Sequence, residues 1–186
     1  LKNEFHGVCG TIIAEIRSTV ERVCDTEVED FIALLLRSRR IFCLGSGRSG
    51  IILQCFCMRL SHLGLQAHWV GSPNCPPATP EDALVVCSGS GKTASVVSIM
   101  QRAKALGVRI ALLTAAESSD ACPIADTIIH IQAPSELMNA NSISMQPMRT
   151  LFEQVAFVVC ETVVAILQHR LTIREEEMAR RHANLE

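Results

Sequence analysis

Apolar residues at Phe5, Val8, Cys9, Ile12, Ile16, Val20 and Val23 recur every three or four positions, the spacing that lines one face of a helix. A second helix is predicted to open at Thr26, with Glu29 three residues on in the spelling of a capping box and "FIALLLRS" behind it. From residue 41 the rhythm changes. Short apolar runs at 41–45, 66–71, 83–89, 108–114 and 127–132 alternate with helical stretches near 48–63, 92–106 and, briefly, 121–126. Strands apolar on both faces must be covered on both, so the alternation predicts a parallel sheet between helical layers. The expected fold is α/β, a three-layer α/β/α sandwich on a five-stranded parallel sheet, with ligands at the strand carboxyl ends.

The chain is expected to form one domain over 1–186, with N-terminal helices over about 2–38 and a C-terminal helix plus charged tail over about 148–186. The helix at about 148–170 is apolar on more than one side and needs burial between layers or against another chain, which predicts a homodimer or homotetramer. In the tail, Glu176–Arg180 and Glu177–Arg181 stand at i,i+4 and are expected to pair. The Pro-rich "GSPNCPPATP" (71–80) reads as a loop over the carboxyl edge of the sheet.

Composition narrows the partners. With 48% hydrophobic and 19% charged residues and a net charge of −2, nothing favours a nucleic-acid backbone, and one Trp with no Tyr makes a poor base-stacking platform. Nine cysteines are scattered without a C-x-x-C pair, which predicts reduced thiols and a cytoplasmic protein rather than a zinc site or disulfide framework. No run reads as a membrane span and no leader pattern opens the chain.

Two glycine-rich stretches carry the chemistry. In "VCSGSGKTAS" (86–95) the Walker spelling fails, because Val86 stands where its first glycine is required. "GSGRSG" (45–50) satisfies the dinucleotide spacing, but the acidic residue needed about 20 positions on is missing until Glu81. Each stretch still leads from a strand into a helix with small hydroxyl residues, a setting that favours one phosphate monoester. Ser88, Gly89, Ser90 and Thr93 are the candidate phosphate-binding set, with Ser46, Gly47, Arg48 and Ser49 facing them. The alternative is that these hydroxyls only cap helices. No H-x-H, H-E-x-x-H or D-x-D spelling occurs, so no metal is expected.

The pairing of "GSGRSG" with "SGSGKT" on such a core resembles the sugar isomerase (SIS) domain family, whose sheet has flavodoxin-like order. With "MRLSHLG" (58–64), "QPMRTLFEQ" (146–154) and "RHANLE" (181–186), nearly the whole chain resembles the 6-phospho-3-hexuloisomerases of formaldehyde fixation by the ribulose monophosphate pathway. The resemblance implies cofactor-free interconversion of D-arabino-hex-3-ulose 6-phosphate and fructose 6-phosphate, in an assembly of two or four copies. It implies that Glu153 is the catalytic base and that His182 acts on the sugar's oxygens, often from a neighbouring subunit. His62 is either a substrate contact or a residue complementing the end of its helix. Arg149, where glycine is usual, and Lys92, where glutamate is frequent, depart from the pattern. A pentose-phosphate isomerase and a non-catalytic sugar-phosphate sensor are the competing readings.

Overall fold

A computed structural model describes residues 2–133, 144–148 and 150–185; Arg149 lies outside them. Two helices lead, α1 (Lys2–Val20) and α2 (Asp25–Arg37), followed by β1 (Ile41–Gly45), α3 (Gly47–His62), β2 (Ala67–Trp69) and β3 (Ala83–Cys87). Next come α4 (Ala94–Ala105), β4 (Arg109–Thr114), a 3-10 turn at Cys122–Ile124 and β5 (Thr127–His130). The chain closes with α5 (Thr150–Arg170) and α6 (Glu175–Arg180). The five strands pair in the order β2-β1-β3-β4-β5, all parallel, which is the flavodoxin-like arrangement.

Alternate residues of each strand point to opposite layers, and both layers are apolar. Ile41, Cys43, Val85, Cys87, Ala111 and Leu113 meet α2, α3 and α5 on one face. Phe42, Leu44, Leu84, Val86, Ile110 and Leu112 meet Val96, Met100 and Ala103 of α4 on the other. On the thicker face Phe31 and Phe56 are fully buried and stack at 6.0 Å, fastening α2 to α3. Burying each such ring stabilises the fold by roughly 1.5–3 kcal/mol. Helix α5 is long and apolar enough to cross a membrane by length and composition, but here it is the central core helix, with Phe152, Val155, Ala156, Val163 and Leu167 at 0% exposure.

Three local expectations are corrected. Helix α2 begins at Asp25 behind Cys24, which makes no side-chain cap bond, and the box glutamate serves tertiary contacts instead. Glu29 receives both guanidinium nitrogens of Arg170 at 2.8 and 2.5 Å. The loop 71–80 does not roof the carboxyl edge. Its prolines bar a crossover helix, and it runs from the end of β2 to the start of β3 with Cys75 and Ala78 packed on the α4 face. In the tail, Glu177 accepts from Arg174 at 3.1 Å, while Arg181 leaves the helix face for the carbonyl of His62.

At the amino end of the sheet, Arg40 donates through two nitrogens to Asp82 at 3.1 and 2.9 Å, and Asp82 also accepts from the backbone and hydroxyl of Thr79. Burial alone would push the Asp82 carboxyl up, but the bonds from Arg40 and Thr79 outweigh it and hold the group below its usual range.

Candidate active site

The strand order reverses between β1 and β3, so α3 leaves toward one face and α4 toward the other, and a crevice opens at the carboxyl ends of the two strands. Gly45 and Cys87 are register partners at that edge, which sets the two glycine loops side by side. They enclose a cavity of about 230 Å³ lined by Ser46, Gly47, Arg48 and Ser49 from one loop and Cys87, Ser88, Gly89, Ser90 and Thr93 from the other. Phe152 and Glu153 of α5 complete the lining. Pockets for drug-sized ligands run from about 300 Å³ upward, so this one suits a single small polar molecule.

Close backbone approach explains why the loops are spelled with glycine. A Cβ on Gly45 would fall 2.9 Å from the backbone of Gly50, and one on Gly50 would fall 2.8 Å from the Gly45 carbonyl. Only hydrogen at both lets the first turn of α3 sit on the end of β1. Gly91 holds φ +59° with Ser119 Oγ 2.0 Å from where a Cβ would be, so no side chain is tolerated there. The second loop is stapled by bonds from Gly91 N to the Ser88 carbonyl at 3.1 Å and from Ala115 N to the Gly89 carbonyl at 3.1 Å.

The hydroxyls are not consumed by helix capping. Ser46 is the N-cap of α3 and Thr93 the N-cap of α4, and neither makes a side-chain cap bond. Among the described residues no acceptor meets the backbone N–H of Gly89 or Ser90. Two helix N-termini, the uncommitted hydroxyls of Ser46 and Thr93 and two spare amides therefore converge on one cavity, an arrangement that attracts an anion.

Glu153 stands in the first turn of α5, its side chain 14% exposed, and pairs with Arg48 Nε across the crevice. The approach to α5 is fixed from α1: Glu15 accepts from Ser144 Oγ at 2.7 Å, Met145 N at 2.8 Å and Gln146 Nε2 at 3.0 Å. Burial would raise the Glu15 carboxyl, but these bonds outweigh it and keep it below its ordinary value. Cys87, under the loops, has its thiol pushed up to about 12 by burial and by the nearby Glu153 charge, against an opposing hydrogen bond from Ser49. It is a neutral wall of the cavity and no nucleophile. Among the described residues no three His, Cys, Asp or Glu side chains converge to hold a metal ion.

Of the residues singled out in the sequence, Ser46, Gly47, Arg48, Ser49, Ser88, Gly89, Ser90, Thr93 and Glu153 come together in this cavity. His62 and His182 do not join them. They sit at the other end of α3, about 22 Å along the helix at 1.5 Å per residue. There their rings lie 5.2 Å apart. Burial first, then the charges of His182 and Arg59, pull the His62 imidazole below its usual value. Cys87 and Phe152 line the cavity without having been singled out. Their signal was adjacency, since each precedes a candidate residue by one position.

The SIS domain model matches residues 34–158, two thirds of the chain, and the protein belongs to that family. The chain is 38% identical to a 3-hexulose-6-phosphate isomerase of Mycobacterium gastri, covering 92% of this chain and 86% of that one. It is 34% identical to the enzyme of the same name from Bacillus subtilis (strain 168), over 94% and 95% of the two chains. Among solved structures it resembles a Methanococcus jannaschii protein for which a 3-hexulose-6-phosphate isomerase function has been inferred. That match has a TM-score of 0.80 and 30% identity, over 98% of this chain and 99% of that one. The protein is an isomerase of the sugar-phosphate class.

Proposed function

We propose that this chain interconverts D-arabino-hex-3-ulose 6-phosphate and fructose 6-phosphate without a cofactor, in formaldehyde fixation by the ribulose monophosphate pathway. The observation that carries the reading is the convergence of unspent hydroxyls and amides with the Glu153 carboxylate in one small cavity. Ser88, Gly89, Ser90 and Thr93 hold the phosphate, and Ser46, Gly47 and Ser49 meet the sugar hydroxyls. Glu153 takes the proton from C2 of the 3-ulose, giving a 2,3-enediolate, and the same carboxyl returns a proton to C3 as the carbonyl forms at C2. Arg48 already neutralises Glu153 and, being 64% exposed, is free to turn to the enediolate oxygen as charge develops there.

Fructose 6-phosphate closes into a ring that the 3-ulose cannot form, so a proton shuttle at the ring oxygen is needed on that side. His182 supplies it, with His62 behind it. Within one chain these histidines lie too far from Glu153, so the site is completed by a second copy. Exposed apolar side chains offer the contact surface: Ile51 (61%) and Met58 (46%) on α3 and Phe157 (41%) on α5. Nine free thiols fit a reducing compartment.

The test is fructose 6-phosphate in D₂O, read by mass and by formation of the 3-ulose. Wild type should incorporate solvent deuterium at the isomerising carbon, and Glu153→Gln should lower kcat by roughly 10²–10⁴-fold while still binding the sugar phosphate. Full turnover by the variant, or isomerisation without any solvent hydrogen entering, would end the proposal.

A further inference from the structure

The carboxyl end of α3 is closed by more than its own backbone. Gly64, at φ +87°, and Leu65 donate back to the carbonyls of Ser61 and Leu60 at 2.9 and 3.0 Å, the pattern that satisfies two of the last carbonyls of a helix. The carbonyl of His62 is left over by that pattern. It is taken by Arg181, 119 residues further along the chain, whose Nη1 donates to it at 2.9 Å. The same guanidinium lies against Gly64, with its carbon 3.0 Å from where a Cβ would stand and both terminal nitrogens at 3.2 and 3.3 Å. The plane of the arginine thus fits a slot that exists only because residue 64 has no side chain. A positive group at this place also complements the negative end of the helix.

The next residue is His182. Its ring is held 5.2 Å from that of His62, which is itself buried at 5% exposure. His182 Nδ1 lies 2.9 Å from the carbonyl of Ala183. A carbonyl only accepts, so in this contact Nδ1 is the donor and Nε2 is the ring nitrogen left free of it. The short helix α6 makes no side-chain cap bond at its start. What fixes its last turn is Met178 against the core and Arg181 in its slot.

We propose that Arg181 is the positioning residue for His182: its guanidinium, seated over Gly64 on the His62 carbonyl, locks the tail to α3 and sets the imidazole against His62. The catalytic consequence rests on the role proposed above for His182. Held this way, the imidazole presents Nε2 from a rigid platform; without the lock it would swing on an exposed tail, and loss of about 1 Å in placement costs up to roughly 10²-fold in rate.

The test combines ring spectra with a mutant cycle on the full chain. With the six histidines assigned, Arg181→Ala should move the His182 ring resonances to the values of an unstructured histidine. It should also lower kcat by about 10- to 100-fold with KM nearly unchanged. Millimolar guanidinium should restore part of both. In a His182→Ala background the Arg181→Ala change should cost nothing more, since both act through one group. His182 resonances that stay in place in Arg181→Ala, or kcat losses that simply add, overturn the proposal. Resonances that collapse while His182→Ala turns over at the wild-type rate would leave the lock standing and strike the role given to His182.

Discussion

Adding one methyl group at Gly89 should disturb catalysis through the packing of α5. The backbone at Gly89 is not left-handed, so alanine carries no conformational penalty there, and the effect is one of contact alone. The new Cβ would lie 3.0 Å from Cδ1 and 3.2 Å from Cε1 of Phe152. Carbon atoms rest about 3.5–4.0 Å apart, so the ring and the loop must separate by roughly 0.5–1 Å. Neither yields readily. The Gly89 carbonyl is bonded to Ala115 N at 3.1 Å and Thr114 Oγ1 at 3.3 Å, and Phe152 is fully buried. Overpacking of this kind costs about 1–3 kcal/mol, or a Tm drop of roughly 2–12 °C at this chain length. Phe152 is the residue before Glu153, so the displaced turn carries the carboxylate with it, and kcat should fall by about 10- to 100-fold. Steady-state rates with fructose 6-phosphate, beside a thermal melt, read both effects. Adding Phe152→Leu to Gly89→Ala removes the ring edge and should recover much of the rate. Wild-type kcat in Gly89→Ala, or no recovery in the double variant, would refute the claim that this contact sets the height of the carboxylate.

At the opposite end of the sheet, Asp82→Ala leaves Arg40 without the carboxylate that takes two of its nitrogens and should lower the urea unfolding midpoint, with kcat of the folded protein unchanged. Because the Asp82 carboxyl lies below its unfolded value, its stabilisation is complete above about pH 4 and is lost as pH falls through the folded value; a variant with unaltered acid unfolding would contradict this. Thr172 caps α5 at φ +55°, a conformation strained for a β-branched residue, so Thr172→Gly should gain about 1 kcal/mol and raise Tm by roughly 2–4 °C; a lower Tm would count against that strain. Glu153→Gln and His182→Ala, each inactive alone, should regain about a quarter of wild-type activity when coexpressed, since half the randomly formed dimers hold one intact site of two. No recovery would place both residues in a single chain's site.

The elements legible in the sequence were those whose burial is symmetric. The apolar run at 41–45 coincides with strand β1 because Ile41 to Leu44 are buried on both faces and admit no polar position. The apolar run at 66–71 is longer than its strand, because β2 is an edge strand of three half-buried residues with little to mark its ends. Local capping rules failed at Thr26 because Glu27 and Glu29 bond to His130 and Arg170, more than a hundred residues away. The stripe on α1 announced a helix but not its partner: Ile16 and Val20 pack on the core, whereas Phe5 and Ile13 stay 68% and 60% exposed. In the cavity, both loops were readable because glycine and serine follow strand ends. The Arg48–Glu153 pair and the seat of Arg181 arise from folding contacts that no local pattern records.

On the function proposed above, the two ends of α3 carry separate parts of the chemistry, and the helix itself shows how two copies would reunite them. Its amino end carries Arg48 and Ser49 into the cavity, and its carboxyl end carries His62 with His182 locked to it. A single rigid helix of 16 residues cannot bend one end onto the other. Ile51 and Met58 are seven residues apart, two turns, and so project along nearly the same line of the helix, with Cys55 between them. A two-fold contact is self-complementary: the patch that one copy presents meets the same patch inverted on the other. Pairing two α3 helices antiparallel about Cys55 would therefore set the carboxyl end of each beside the amino end of its partner. The exposed apolar line is placed near the middle of the helix, where such an exchange requires it, and in that arrangement Arg181 would fix a histidine of each copy beside the cavity of the other.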